Sequence, residues 1–441
     1  MAFHPRRSDG SAPRALRAWR ALLAAALAAA CAAGAEDSGP APLSLADARR
    51  LALERNADFR VAQLQVDAAL AQLRVVREFP NPTLGLSTAK ISTDGTPEGT
   101  AMGNGLLDRS YDSIVSLSQL FVVGKRGLLR DAARAGLQSS QFQRDDARRL
   151  LVQAVTQAYA AALAALSEAD VLADSAAKLR RESDIAAHRL KAGDLSASDE
   201  AQLEIAADQD ELNADAERAA ARTAVVTLEI LLGYPSPAGT TPLADSLERW
   251  TQSIAPGLEQ APIGSRPDIA AAESTVTQAD ANVRLQERLK VPDVTASVQY
   301  ERNPPAQPDT VGIGLSLPLP LWDRFDGEVL AAKAARAQTQ AQLDKVRIQA
   351  AADVAAARVA YHEASQRALR YRTSLVPKSA QVAKSVSYAY EKGGAALVDL
   401  LEAERNDNLI RVAAVQAEAD EASTAVSLQA SLGLLSAPDG K

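Results

Sequence analysis

The sequence is poor in the side chains that bind metals and form cross-links. Its 441 residues include one cysteine, Cys31, and three histidines, His4, His188 and His362. His188 and His362, which remain after the leader, are isolated and cannot build a multi-ligand transition-metal site without several carboxylates, so we expect no metal site. A single cysteine also excludes an internal disulfide. No glycine-rich phosphate-binding motif is present, and we therefore expect neither a nucleotide nor another cofactor.

An excess of positive charge and a long hydrophobic run are also missing. The chain has 48 Lys and Arg against 55 Asp and Glu, a net charge of −7, which argues against nucleic acid as a partner. Beyond the N-terminal segment we find no apolar run of the about 20 residues that a membrane-spanning helix needs. If the chain enters a membrane, it must therefore enter as β-strands.

Residues 1–35 have the composition of a secretory signal peptide. Five arginines precede an Ala- and Leu-only stretch at 21–30, and small residues at 33–35 provide a cleavage site. Cleavage after Ala35 leaves 43 basic and 54 acidic residues in the rest of the chain. Lipid attachment at Cys31 is the competing expectation. We favour plain cleavage, because Ala28 stands where a lipoprotein signal usually has a leucine-like residue.

The remainder of the chain repeats itself at a spacing of 200 positions. The motif that ends in Gly193 recurs at Gly393, and Asp199 recurs as Asp399. A stretch rich in Pro and Gly separates the two copies. The predicted boundaries are 1–35 for the signal peptide, 36–233 for the first repeat, 234–265 for the linker, 266–434 for the second repeat and 435–441 for the tail.

Each repeat contains a long helical hairpin. Residues 98–234 lack proline and are rich in good helix formers from about 128 onward, which predicts a helix over about 129–190. Gly193 fits a C-terminal cap and Ser196 an N-cap for a return helix to about 232. The second repeat predicts helices over about 328–392 and 397–432. Pro377 should kink the first of these.

Each repeat also contains a pair of short strands. Apolar and polar residues alternate over 294–301 and 311–319, and more weakly over 83–91 and 111–122. Four strands cannot close a barrel, and open edges are not tolerated in lipid. Several copies that pool their strands would solve this problem and would also bury the apolar faces of the hairpins.

At this point the sequence resembles the TolC outer-membrane efflux family over essentially its whole length after the leader. The residues that carry the resemblance are Phe79-Pro80-Asn81-Pro82, Ser118-Gln119-Leu120-Phe121, Gly124-Lys125-Arg126, Arg266-Pro267-Asp268-Ile269, Leu317-Pro318-Leu319-Pro320-Leu321-Trp322-Asp323-Arg324, and Tyr390 to Gly393 followed by Asp399-Leu400-Leu401-Glu402-Ala403-Glu404. The glycine-lysine-arginine and proline–tryptophan elements look most like the branch that serves heavy-metal efflux pumps.

The resemblance implies a mainly α fold with a membrane β-barrel part. It implies a homotrimer in the lipid of the Gram-negative outer membrane, with a 12-stranded barrel and a helical tunnel in the periplasm. A periplasmic adaptor and an inner-membrane pump would open the closed tip. The protein would then be a passive conduit and not an enzyme. The alternative is a periplasmic coiled-coil adaptor or scaffold, which does not explain the two strand pairs.

The resemblance also places the periplasmic gate at the tip turns, Gly193 and Gly393. In the family an acid of the first tip is linked to a tyrosine of the second, which by position are Asp199 and Tyr390. Asp399 and Glu402 lie one helical turn apart, so that three copies would place six carboxylates around the constriction and favour cations. The competing interpretation is that Asp199 and Asp399 only cap the return helices.

Overall fold

The computed structural model describes residues 42–91, 110–193, 195–252, 254, 257–302 and 309–436. The predicted signal peptide, the possible lipid attachment at Cys31 and the last five residues of the predicted tail lie outside the described residues. Within them, helices dominate and four strands form one sheet.

The first half of the chain builds two short helices, two strands and a long hairpin. The elements are α1 (Leu45–Arg55), α2 (Ala57–Val75), β1 (Thr83–Ile91), β2 (Ser110–Phe121), α3 (Arg126–Ala192) and α4 (Ala197–Leu231). The 67 residues of α3 correspond to a length of about 100 Å. The predicted hairpin is thus confirmed, with α3 starting three residues earlier than the composition suggested.

The second half has the same order of elements. Its members are α5 (Leu247–Gln252), a 3₁₀ turn (Leu258–Gln260), α6 (Pro267–Leu289), β3 (Val294–Arg302), β4 (Thr310–Ser316), α7 (Asp326–Arg370), a π-helical turn (Tyr371–Leu375), α8 (Val376–Glu391), α9 (Leu397–Ser431) and a 3₁₀ turn (Leu434–Ser436). Strand β4 stops at Ser316, short of the predicted 319, because Pro318 and Pro320 have no N–H to donate to a ladder.

The predicted disturbance at Pro377 takes the form of a π-helical turn. Pro377 lies in the first turn of α8, directly after Tyr371–Leu375. Proline cannot donate to the carbonyl four residues earlier, and a wider turn accommodates that missing bond. Arg372 in this turn pairs with Glu418 and Glu421 of α9 at 3.5 and 3.4 Å. The first hairpin has no such interruption in α3.

A core cluster near the middle of the helices ties the start of the described chain to the region between the hairpins. Leu43 forms a parallel bridge with Leu243, and the single proton of the buried Tyr159 hydroxyl is shared between the Leu43 carbonyl at 2.8 Å and Asp245 at 2.9 Å. The carboxylate of Glu229, itself buried, accepts hydrogen bonds from the backbone N–H groups of 238, 239 and 241. The proline- and glycine-rich segment is therefore fixed in place by these contacts.

One expectation about membrane helices needs correction. Among the described residues one helix, α3, is long and apolar enough to cross a membrane by length and composition. Residues 150–167 contain no charged side chain, but the uncharged polar residues Gln153, Thr156 and Gln157 interrupt the apolar run. Half of the apolar window is buried inside the protein, as in the core helix of a bundle.

Candidate functional site: the hairpin tips and the sheet

The two hairpin turns lie together, far from the sheet. Ala186 and Leu203 of the first hairpin form a buried cluster with Leu397 and Leu400 of the second. Tyr390 is packed against this cluster and is partly buried. The structure thus brings both predicted tips into one site, at the end of helices that begin beside the strands.

Both tip glycines have the backbone conformation that their capping role requires. Gly193 has φ 84° and Gly393 has φ 74°, in the left-handed region. Their N–H groups donate to the carbonyls of Leu190 and Tyr390, each at 3.0 Å. A Cβ at either position would meet no atom within 4 Å, so the preference for glycine comes from the backbone angle and not from crowding.

The predicted pair of Asp199 and Tyr390 lies close enough for electrostatic contact within one protomer. Burial raises the pKa of the Tyr390 hydroxyl, and the charges of Asp199 and Glu182 raise it further, while Arg189 opposes them. The Arg189 guanidinium lies 5.9 Å from the centre of the Tyr390 ring. In the described part of the chain no hydrogen bond joins Tyr390 to Asp199, which leaves the hydroxyl available to another partner.

The two tip aspartates do not have the same local role. At the first tip, the Ser196 hydroxyl accepts a hydrogen bond from the Asp199 N–H at 3.1 Å, so the cap is the serine. At the second tip, alanine occupies the equivalent position 396. Here the Asp399 carboxylate accepts from the Ala396 N–H at 3.1 Å. Asp399 therefore acts as a cap, whereas the Asp199 side chain is not used for capping.

Asp399 and Glu402 are both exposed at the start of α9, one turn apart. One oxygen of the Asp399 carboxylate accepts the capping hydrogen bond, and the residue remains exposed to solvent. Each protomer thus presents two carboxylates on one face of this helix, as the spacing predicted.

Sequence reasoning missed a buried polar cluster between the hairpins. Asn408 of α9 donates to the Ser175 hydroxyl of α3, which in turn donates to Asp210 of α4 at 2.8 Å. Next to it, Ser379 donates to Asp407 at 2.6 Å. All except Asp210 are at most 9% exposed. The polar pair at 407 and 408, in the middle of a helix expected to pack, was the available signal.

A cleft of about 310 Å³ opens beside this cluster, between α3, α8 and α9. Glu182 and Glu404 line it, and burial raises the pKa of both carboxyls. Lys178 and Lys384 also line it, so opposite charges share the space. Within the described residues no group of three or more His, Cys, Asp or Glu side chains is placed to hold a metal ion.

The strands pair in the order β1-β2-β3-β4, all antiparallel. The register aligns Leu84, Leu117, Val298 and Ile313 in one row across the sheet. The next row on the same face is Leu86, Val115, Tyr300 and Val311. These side chains are exposed in the protomer, with Val298 at 53% and Ile313 at 88%. One face of the sheet is therefore a continuous apolar surface.

The opposite face is polar and small. Ser297 lies across from Gly314, and Gln299 lies across from Gly312. A Cβ at Gly314 would come within 2.8 Å of the Ser297 hydroxyl, so the serine side chain uses the space that the glycine leaves. The register places Val298 and Leu315 on the apolar face and Ser297 and Ser316 on the polar face, as the alternation predicts.

Comparisons with known proteins agree with this architecture. The family described as "Outer membrane efflux protein" matches residues 48–234 and 259–434. The cobalt-zinc-cadmium resistance protein CzcC of Cupriavidus metallidurans is 24% identical over 366 residues, which cover 82% of this chain and 84% of CzcC. These matches confirm the family resemblance found in the motifs, and they do not favour the adaptor alternative.

Solved structures show the same fold. A membrane protein from Pseudomonas aeruginosa superposes with a TM-score of 0.74 at 22% identity, covering 90% of this chain and 94% of that one. The outer membrane protein VceC from Vibrio cholerae has a TM-score of 0.69 at 19% identity, covering 88% and 96%.

Proposed function

This chain belongs to the outer membrane efflux protein family, and from this premise we propose that three copies form one continuous export duct. The protein is an outer membrane efflux channel that extends into the periplasm, and its family consists of channels, not enzymes. The finer proposal concerns how the chain builds that channel. It has two tandem repeats, and each repeat contributes a strand pair and a helical hairpin.

The observation that carries the proposal is the sheet. Its two outer strands, β1 and β4, each have one edge without a strand partner among the described residues. In lipid such edges must pair. Joining β4 of one copy to β1 of the next closes a barrel, and three copies give about twelve strands, within the range of known barrels. The exposed apolar rows then meet lipid, and the serine- and glycine-rich face lines the pore.

The hairpins continue the duct into the periplasm, and the tips close it. Asp199 of the first tip and Tyr390 of the second lie near each other within a protomer, and the Tyr390 hydroxyl would donate to a neighbouring copy. A periplasmic adaptor and an inner-membrane pump are the partners, and their docking at the tips opens the gate. The pump supplies the energy, since the channel is passive.

We propose heavy-metal cations as the cargo. A relative that matches 82% of this chain is named for cobalt, zinc and cadmium resistance. The carboxylates of Asp399 and Glu402 would give a trimer six negative charges at the constriction, which favours cations over anions. Drugs or other small molecules are the alternative cargo.

The assembly and the cargo are tested separately. Protein extracted from outer membranes should migrate as a heat-sensitive trimer and give cation-selective single channels in planar bilayers. Crosslinking in native membranes that stops at a dimer would contradict the trimer. For the cargo, deletion of the gene should sensitise cells to cobalt, zinc or cadmium, and unchanged metal tolerance with increased drug sensitivity would favour the alternative.

A further inference from the structure

A distinct band of residues lies where the sheet meets the helices. All four strands have their helix-side ends together, because β1 begins after α2, β2 ends before α3, β3 begins after α6 and β4 ends before α7. We call this band the helix-side rim, and it comprises residues 77–82, 122–126, 288–293 and 317–325. It contains six Lys or Arg and three Asp or Glu, in a chain whose net charge is −7.

Side-chain contacts make the rim continuous between the first two strands. The Arg126 guanidinium stacks on Phe79, 3.6 Å from the ring centre, and donates to the Arg77 carbonyl at 2.7 Å. These contacts fold the connection before β1 against the start of α3. They leave Phe79 75% exposed.

Further contacts extend the rim across the other two strands. Lys125 pairs with Asp293 at 2.9 Å, and Lys290 pairs with Asp326, at the start of α7, at 2.8 Å. Gly124 has φ +69°, and a Cβ there would lie 2.6 Å from the Arg288 guanidinium, so Arg288 packs closely over this turn. The rim is thus one surface that follows the strand order.

The carboxylates of the rim do not neutralise all of its cations. Asp293 is already paired with Lys125, and Asp323 accepts a hydrogen bond from the Phe325 N–H at 2.9 Å. Among the described residues, Arg77, Arg288 and Arg324 have no carboxylate within salt-bridge distance, and all three are exposed. Three guanidinium groups of the rim are therefore outside the ion pairs and exposed to an external anion, although the charge of Arg324 also acts on the nearby Asp326.

Large apolar side chains alternate with these cations. Trp322 is 93% exposed, and Leu319 and Leu321 beside it are also exposed. An amphipathic aromatic ring next to arginines is the pattern that proteins present at the boundary between hydrocarbon and headgroups. Guanidinium groups bind phosphate oxygens with two donors at once. An anionic surface also attracts them by its net charge, whereas in a zwitterionic lipid the amine balances the phosphate charge.

We infer that the helix-side rim binds the headgroups of anionic phospholipids in the periplasmic leaflet of the outer membrane. The inference rests on the proposed function, because it needs the apolar face of the sheet to lie in lipid. Arg77, Arg288 and Arg324 contact the phosphates, while Phe79 and Trp322 lie at the level of the headgroups. The rim then fixes the depth at which the channel sits.

The chain provides its own fluorescent reporter for this test. It has three tryptophans, Trp19 in the predicted leader, Trp250 in the core and Trp322 in the rim. The variant Trp19→Phe, Trp250→Phe leaves Trp322 alone. The full-length variant is reconstituted in vesicles that contain phosphatidylethanolamine and phosphatidylglycerol, with bromine on the acyl chains of one lipid at a time. Quenching of Trp322 reports which lipid is adjacent.

We expect brominated phosphatidylglycerol to quench more strongly, with a relative binding constant of about five-fold or more, since each cation near an anionic surface gives roughly that factor. The preference for phosphatidylglycerol should fall in 0.5 M salt, because salt screens interactions between surface charges. The added substitutions Arg77→Gln, Arg288→Gln and Arg324→Gln should bring the ratio close to one. The charge-matched control Lys345→Gln, Arg347→Gln, Arg367→Gln, at three exposed positions of α7, should keep it.

Each other outcome has a definite meaning. Equal quenching by the two lipids, or an equal loss in the control variant, overturns the inference. An absence of quenching by either lipid in a protein that still forms the heat-sensitive trimer also overturns it. Failure of the reporter variant and of the unmodified protein to form that trimer in lipid would instead contradict the proposed function.

Discussion

Asn408 of α9 donates a hydrogen bond to the hydroxyl of Ser175 in α3, across 233 positions of sequence. Both residues are buried, and Ser175 passes the interaction on to Asp210 of α4. This chain of polar contacts lies where α9 packs against α3 and α4, next to the ion pair of Arg411 with Asp174. It fixes the second hairpin against the first in one register, because any shift would leave buried polar groups without partners.

Asn408→Ala should therefore destabilise the protein more than its loss of volume suggests. Leaving buried hydrogen-bonding groups unsatisfied costs about 1–3 kcal/mol each. The midpoint of thermal unfolding, followed by circular dichroism on the purified trimer, should fall. Asn213→Ala is the matched control, because Asn213 is exposed on α4 and its only described contact is with Gln209. Equal midpoints for the two variants would contradict a structural role for the cluster.

The tip glycines offer a second prediction. Gly193→Ala and Gly393→Ala should each cost about 1–2 kcal/mol, the usual penalty for a left-handed residue with a Cβ. Gly127→Ala is the control, since Gly127 lies within α3 and a Cβ there also meets no atom within 4 Å. That variant should be neutral or gain up to about 1 kcal/mol. Proteolysis at the tips is a sensitive measurement, and the glycine variants at 193 and 393 should be cut faster.

A third prediction concerns the closed state. The double variant Asp199→Ala, Tyr390→Phe should raise the small conductance of the resting channel in planar bilayers, because it removes both members of the proposed link. Ser196 still caps α4, so the helix should not fray. The control is Ser198→Ala, an exposed substitution on the same turn. A resting conductance unchanged from the wild type in a folded trimer would place the gate elsewhere.

Selectivity can be separated from capping in a fourth experiment. Asp399→Asn with Glu402→Gln removes the charges but keeps an oxygen that accepts the Ala396 N–H. We expect a weaker preference for cations and weaker block by divalent ions, with an unchanged unfolding midpoint. Asp399→Ala alone should lower the midpoint by the equivalent of about 1 kcal/mol, the usual value of a capping hydrogen bond, because the N3 carboxylate accepts from the Ala396 N–H. If the charge-removing pair leaves selectivity intact, these residues serve only as caps.

The orientation of the sheet gives a fifth prediction. In a background with Cys31→Ser, single cysteines at 297 and 316 should react with aqueous thiol reagents far faster than cysteines at 298 and 315. Residues 298 and 315 lie on the apolar face, which the proposal places in lipid. The reverse ranking would mean that the polar face is the outer one. Labelling should be done in whole membranes, with denatured protein as the control for total reactivity.

The features that the sequence predicted correctly are those that neighbouring residues determine. Gly193 marks a helix end by its backbone freedom, Ser196 marks a helix start, and alternation over 294–301 marks β3. The position of Pro377 indicated a disturbed helix, although not its π-helical form. In contrast, the four hydrogen bonds to Glu229 and the links from Asn408 depend on segments that meet only in the folded chain. No local pattern distinguishes such a glutamate from the many solvated ones beside it.

Arg266 illustrates the same limit. The sequence places Arg266 in a family motif but does not predict its contacts. In the structure it is buried, pairs with Asp268 at 2.7 Å and donates to the carbonyls of Ala350, within α7, and Ser431, the last residue of α9. Asn56, near the start of the chain, donates in the same way to the carbonyl of Leu231. The sequence does not reveal that these two residues bind helix-end carbonyls in the same way, because arginine and asparagine differ in chemical type and in side-chain length.

The open edges of β1 and β4 have a genetic consequence. If one copy's β4 must join the next copy's β1, a single damaged strand leaves a seam in a wall made by all three copies. A proline in β4 would then act dominantly, since a cell that makes equal amounts of normal and altered chain would assemble only about one intact duct in eight. Loss of one gene copy would only lower the number of ducts, because every duct would then contain normal chains alone.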